Sequence, residues 1–382
     1  MTETVTYRNI MRELFKSINA QQDLIHKINS LIKNSDYTKV HPNEIINALE
    51  VAKALMDGET NIVLQAPMQS GKTGTIDQLC NTILKEIGFF KENQGALFLN
   101  SMTDKTLYFQ NIAKLGSDRS NIKVMKMKDF KSHGFLYVKE NNKSIIIRDE
   151  DQYGCGQDSS FDYGFFEKLR ITHPEIPLVT VSATPFDILD AMVKNSITGK
   201  VISGVTGENY FGIKNMLNEG LIRDIPKNYN HLVPDENGKN TISKEIQEGI
   251  FHLKNFDQSV GIIRCTKTQQ AEYLKEQLKS LKKTYGINTM IIGSTDGCDY
   301  PISEGLEKLN EITKFQKGNT ILLIMGALSA GKDLLSMKNN IKFSIETRGR
   351  QISNAVQGLP GRMCGYHPNR DLISFQNVPI LE

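Results

Sequence analysis

The sequence contains no tryptophan, and its five cysteines, Cys80, Cys155, Cys265, Cys298 and Cys364, stand far apart. No two of them form a C-x-x-C pair, so the spacing of a structural zinc site is missing. An odd, scattered set fits reduced thiols rather than a disulfide framework. No apolar run is long enough to cross a bilayer, and the opening residues, Met1 to Arg8, lack the apolar core of a signal peptide. A cytoplasmic protein without a membrane partner is the expectation. Charge of one sign is also scarce. The 46 Lys and Arg against 43 Asp and Glu give a net +3 over 382 residues. That balance alone does not indicate a nucleic-acid partner, because a binding groove needs its charge clustered.

What the chain has in quantity is alternation. Its length allows two or three domains. Residues 1–40 read as an N-terminal helical segment, with Leu14, Ile18, Leu24, Ile28, Leu31 and Ile32 near helical spacing. A helix is predicted from Asn43 to Asp57, closed by Gly58. Asn61–Leu64, Ala96–Leu99, Ile145–Ile147 and Leu178–Val181 then read as strands, and Thr75–Ile87 as a helix. Buried runs separated by helices imply a parallel sheet covered on both faces. The pattern lapses over 196–255, read as an irregular connection ending in a helix from Ser243 to Leu253. It resumes with Gly261–Cys265, a helix over Ala271–Leu281, then Thr289–Ile292 and Thr320–Met325. The predicted class is α/β, with parallel-sheet domains over 41–195 and 256–382.

Ala66-Pro67-Met68-Gln69-Ser70-Gly71-Lys72-Thr73 stands between the first strand and the next helix, the setting of a phosphate-binding loop. Gly71 lets the backbone turn so that amides face phosphate oxygens, and the helix N-terminus adds partial positive charge. Ala66 and Met68 to Thr73 form the expected nucleotide cradle. Lys72 is expected to reach the β- and γ-phosphates, and the Thr73 hydroxyl to ligate Mg²⁺. The first residue, Ala66, departs from the strict pattern, which has glycine there.

A triphosphatase also needs a second group for Mg²⁺ and a base for water. Asp149-Glu150-Asp151-Gln152 follows the Ile145–Ile147 strand, and the C-terminal ends of parallel strands gather where a ligand lies. Asp149 is placed to hold Mg²⁺ through water and Glu150 to polarise the attacking water. An acidic run after a strand is most often a solvated turn; pairing with Lys72 is what argues otherwise.

With these two sites the sequence resembles the superfamily 2 helicases and translocases, the DExD/H-box ATPases, in the manner of phage helicases and the motor subunits of restriction enzymes. Ala66 to Thr73 resembles motif I and Asp149 to Gln152 motif II, with Gln152 where the family carries His or Asp. Ser182-Ala183-Thr184 matches motif III, which links hydrolysis to movement. Pro42-Asn43 stands where many members have a Pro and an adenine-reading Gln, and Asn100 to Gln110 where motif Ia contacts a nucleic-acid backbone. In the second half, Ile262 to Thr268 resembles motif IV. Gly326 to Leu334, with Gly331 and Asp333, resembles motif V. Gln357 with Gly361-Arg362 resembles motif VI. Gly365 stands where the family has a further Arg.

The resemblance implies two tandem RecA-like domains with ATP between them and Mg²⁺ as cofactor. Gln152 acts in the nucleotide site, Gly331 and Asp333 contribute to nucleotide binding, Gln357 couples, and Arg362 is the arginine finger, with Arg348, Arg350 or Arg370 as possible helpers. Arg370 is expected as a surface residue. The implied partner is nucleic acid, DNA ahead of RNA. The many Lys, Asn and Ile residues suit an AT-rich genome, so a bacterial or phage-infected cell is the expected setting. Two alternatives stand beside the helicase. One is a motor subunit served by other nucleic-acid-processing proteins; the other is a nucleotide-dependent binding module without turnover.

Overall fold

The computed structural model describes residues 41–91, 94–100, 105–116, 121–126, 129–130, 138, 143–149, 172–207, 209–293, 298–301, 318–325, 335–348, 356 and 358–381. The N-terminal helical segment therefore lies outside the described residues. The chain divides into two compact units, Met1–Asn209 and Tyr210–Glu382.

The first unit opens with α1 (Pro42–Met56). Proline occupies a first-turn position, and the Glu44 carboxylate accepts from the His41 amide at 3.1 Å, a reciprocal end-signal of the capping-box kind. Strands β1 (Asn61–Gln65), β2 (Gly95–Asn100), β3 (Ile122–Lys126), β4 (Lys143–Asp149), β5 (Leu178–Ser182) and β6 (Lys200–Ser203) form one sheet in the order β3-β2-β4-β5-β1-β6. Every pairing is parallel.

Successive side chains of a strand face opposite sides. Accordingly Ile62, Leu64, Phe98, Ile145 and Ile147 fill one core, while Val63, Leu97, Leu99 and Ile146 fill another. This is why the strands read as unbroken apolar runs. The first core is covered by α1, by α2 (Lys72–Asp77) with its continuation through a π-helical stretch Gln78–Ile83 into Leu84–Glu86, and by α3 (Lys105–Leu115). The second is covered by α4 (Phe186–Lys194) through Ile188 and Met192.

In the second unit, α5 (Ile213–Asn218) and β7 (Ile222–Asp224) precede an antiparallel pair, β8 (Leu232–Pro234) and β9 (Asn240–Ile242). Then come α6 (Lys244–Leu253), β10 (Val260–Cys265), α7 (Thr268–Tyr285), β11 (Asn288–Gly293), β12 (Tyr300–Pro301), β13 (Thr320–Met325), β14 (Ile341–Ile345), α8 (Leu359–Met363) and β15 (Ile373–Gln376). The seven-stranded sheet runs β12-β11-β13-β10-β14-β15-β7, again all parallel. Ile246 and Ile250 of α6 and Leu274 and Leu278 of α7 pack on it.

One contact fixes how α6 meets this sheet. Phe343 of β14 is fully buried beside two glycines. A Cβ at Gly261, its register partner in β10, would lie 2.0 Å from the ring, and one at Gly249 in α6 would lie 2.5 Å from it.

The stretch 196–255 differs from the irregular connection expected of it. It supplies the sixth strand of the first sheet, crosses the division at Asn209, and supplies the edge strand β7 of the second sheet. Edge strands β6 and β7 each bury one residue, Ile202 and Ile222, so neither presents an apolar run. The predicted helix at its end is present as α6, with the Ser243 hydroxyl accepting from the Ile246 amide. Strands β14 and β15 escaped the sequence reading because their buried polar residues are satisfied at long range. Lys342 pairs with Asp371 at 2.7 Å, and the Ser344 and Ser374 hydroxyls meet at 2.8 Å.

Candidate functional site

Because the first sheet is parallel, its C-terminal strand ends share one edge. One register row crosses it as Lys126, Asn100, Asp149, Val181, Leu64 and Ile202. The loop Ala66 to Thr73 leaves β1 just beyond this row. The Ala66 amide donates to the Ser182 carbonyl at 2.9 Å, and Gly204 donates to the Gln65 carbonyl at 2.7 Å. The loop then turns through two left-handed residues, Gln69 (φ 56°) and Gly71 (φ 96°).

Gly71 is the N-cap of α2, and no side chain caps that end. The first amides of a helix have no partner inside it, so this loop and helix start form a natural anion cradle. Lys72 is the first residue of α2, and its ammonium lies 4.0 Å from the Met68 sulfur. Thr73 follows, half-buried. Ala66, Met68 and Ser70 are buried and Gln69 is half-buried.

Two residues of α1 support the loop from behind. Asn43, 2% exposed, donates its amide to the Ser70 carbonyl at 2.8 Å. The residue expected at the adenine-reading position thus has its amide engaged with the loop's own backbone. Glu44 was not singled out by the sequence reading, although a glutamate two residues after a helix-opening proline and a glycine just after Gly-Lys-Thr were both visible. Its carboxylate lies directly against α2: a Cβ at Gly71 would sit 2.4 Å from Glu44 Oε1, and one at Gly74 would sit 2.3 Å from it.

Burial pushes the Glu44 carboxyl up from 4.5 to about 7. The His41 amide opposes the shift and the Asp77 carboxylate adds to it. Between those pH values the folded state binds the extra proton, so wild-type stability declines as pH rises through that window. Glu44→Gln keeps an N-terminal capping side chain and removes the charge. In parallel urea titrations its advantage over wild type should grow from pH 4.5 to about pH 7. Identical pH slopes for the two proteins would sink this assignment.

Asp149 ends β4, 8% exposed. Strand β5 lies between β4 and β1, so Asp149 and the loop are two strand spacings apart, about 9.6 Å. At the end of β5, the Ser182 hydroxyl accepts from the Thr184 amide at 3.1 Å. Ser182 and Thr184 are buried and Ala183 is half-buried. Glu150 and Gln152 lie outside the described residues. No cluster of His, Cys, Asp and Glu suited to a metal occurs among the described residues.

In the second unit, Arg362 sits in α8 with 2% exposure. Gly331, Asp333, Gln357 and Arg350 lie outside the described residues. Gly365 has φ 125° and forms a two-way backbone bridge with Phe211. Glycine there serves the chain's conformation. Arg370 is a surface residue paired with Glu219 at 3.4 Å.

Arg348 instead binds Glu346, with Nε 3.2 Å from Oε1 and Nη2 3.1 Å from Oε2. Arg264, buried in β10, places its Nε 2.7 Å from Oε1 of the same carboxylate. Burial alone would raise the Glu346 carboxyl, but Arg264 and then Arg348 hold it below its ordinary range. Glu346 was missed in the sequence because it follows the strand that was missed.

No protein-family model and no curated protein matches the chain. Among solved structures, the chain is similar to the helicase Lhr of Mycobacterium smegmatis, in a structure described as bound to ssDNA and AMP-PNP. The TM-score is 0.52 at 13% identity, over 87% of this chain and 45% of that one. The two sheets form tandem RecA-like domains. The chain spans less than half the length of that helicase, and the likeness is one of fold. No helix among the described residues is long and apolar enough to cross a membrane.

Proposed function

We propose that this protein is an ATP-dependent nucleic-acid helicase or translocase. One observation carries the reading: a glycine-turned loop leading into Lys72 follows one parallel strand and an aspartate, Asp149, ends another, on the same sheet edge with one strand between them. In this reading the loop amides and Lys72 hold the triphosphate. The Thr73 hydroxyl and Asp149 carboxylate are hard oxygen donors of the kind Mg²⁺ takes, and that ion, when bound, neutralises phosphate charge. Glu150 orients the attacking water. Arg362 neutralises charge developing on the transferred phosphoryl group. Ser182-Ala183-Thr184, at the end of the intervening strand, couples turnover to movement. Gln152, Gly331, Asp333 and Gln357 take their parts from the family resemblance.

The ssDNA in the Lhr structure supports nucleic acid as the partner, DNA ahead of RNA. A motor gripping phosphates binds with little sequence preference and with strong salt dependence. The deciding experiment measures ATP hydrolysis by the full chain with ssDNA, dsDNA and RNA in parallel, at low and moderate salt. Stimulation by ssDNA that fades as salt rises is expected. Hydrolysis indifferent to all three polymers would reject the motor.

A further inference from the structure

We infer that Glu346 is the positioning residue of the second unit's arginine segment, an inference that rests on the proposed ATPase reading. Glu346 follows β14, is 1% exposed, and has its amide tied to the Phe375 carbonyl of β15 at 2.9 Å. Its carboxylate reaches out of the sheet. Oε2 accepts the Leu359 amide at 3.1 Å, and Leu359 opens α8. Arg362 lies in the same turn, its own amide donating to Gly358 at 3.2 Å. One carboxylate therefore holds the start of the helix that carries Arg362, the fork of Arg348 and the guanidinium of Arg264.

Arg264 is itself fixed. Its carbonyl meets His231 Nε2 at 2.7 Å and accepts from the Thr347 hydroxyl at 3.4 Å. The β10 end of the cluster is thus held at the main chain as well as by the guanidinium. An ion pair serving only the sheet would need no bond to a helix-opening amide. Such an amide lacks a partner within its helix, and a negative group there also meets the positive end of the helix dipole.

The test compares wild type, Lys72→Ala, Glu346→Gln and Glu346→Asp as full chains. Steady-state ATP hydrolysis, binding of a fluorescent ATP analogue and thermal melting are measured for each. Glu346→Gln should lower kcat about 10- to 100-fold, the scale of misplacing a reacting group by an ångström. Analogue affinity should stay near wild type, and Glu346→Asp should recover much of the loss. Wild-type kcat in Glu346→Gln overturns the inference. So does a kcat loss matched by an equal loss of affinity and not recovered by aspartate. If Glu346→Gln does not fold, Arg264→Lys keeps the charge and breaks the fork; a lowered kcat at unchanged affinity supports the inference, and wild-type kcat overturns it. A wild type without Lys72-dependent hydrolysis would fail the ATPase reading itself, a result distinct from all of these.

Discussion

Lys72→Ala should abolish the proposed ATP turnover, by about 10²-fold or more, the scale of removing one preorganised charge-stabilising group, while both sheets stay folded. The expectation follows from where the residue sits. Lys72 opens α2 directly after the left-handed Gly71, so its stem is carried by a helix start and its ammonium by the loop's mouth. In the proposed reaction negative charge shifts towards the leaving phosphate oxygens during transfer, and no neighbouring residue of the loop from Ala66 to Thr73 is basic. The fold loses little. Alanine is a strong helix former, and Lys72 is half-buried rather than part of the core around Ile62 and Leu64. The measurement is steady-state hydrolysis with a thermal melt on the same preparation. Full turnover in the folded variant would remove this loop from the site.

The second large effect is on stability. Gly261→Ala should destabilise the second unit by about 3 kcal/mol, the upper part of the range for overpacking a filled core. The new methyl would meet the Phe343 ring at 2.0 Å, and the ring's other approach is closed by Gly249 of α6, where an added Cβ would stand 2.5 Å away. Phe343 is fully buried between them, so the ring can yield only by moving α6 or by spreading β10 from β14. Urea unfolding followed by circular dichroism should show one early transition while that of the first unit stays in place, since separate domains need not unfold together. Phe343→Leu should relieve part of the clash when combined with Gly261→Ala. Equal transitions in wild type and Gly261→Ala would mean the space beside the ring is not filled.

The fold was legible where three or more apolar residues run together along a strand. Asn61–Leu64, Ala96–Leu99, Ile145–Ile147 and Thr320–Met325 are strands or lie within them, because both faces of these parallel sheets are covered. Strands β14 and β15, in which apolar residues alternate with buried polar ones, were not legible. In β14 and β15, Lys342, Ser344 and Ser374 depend on partners 29 or 30 positions away, and no local pattern announces them.

The same limit governs the site. Lys72 and Asp149 stand at strand ends that the sequence itself marks. The residues behind them, Asn43 and Glu44, meet the loop only when α1 folds over it, with Asn43 reaching 27 positions along the chain. The helix α2 begins at Lys72 rather than at Thr75, because a left-handed glycine can serve as its cap without any capping side chain. Glu346 depended twice on what was missed: on β14, which places it, and on α8, which it holds.

The strand between the loop and Asp149 has one more consequence. β5 is hydrogen-bonded along one side to β1 and along the other to β4, and the loop's first amide, that of Ala66, bonds to its last residue. The gap between Ala66, where the loop begins, and Asp149 is thus ruled off in main-chain units, two widths of a pleated ladder. Sequence can drift along β5 without changing that width, whereas an inserted or deleted residue near Ser182 would throw the whole gauge out of step.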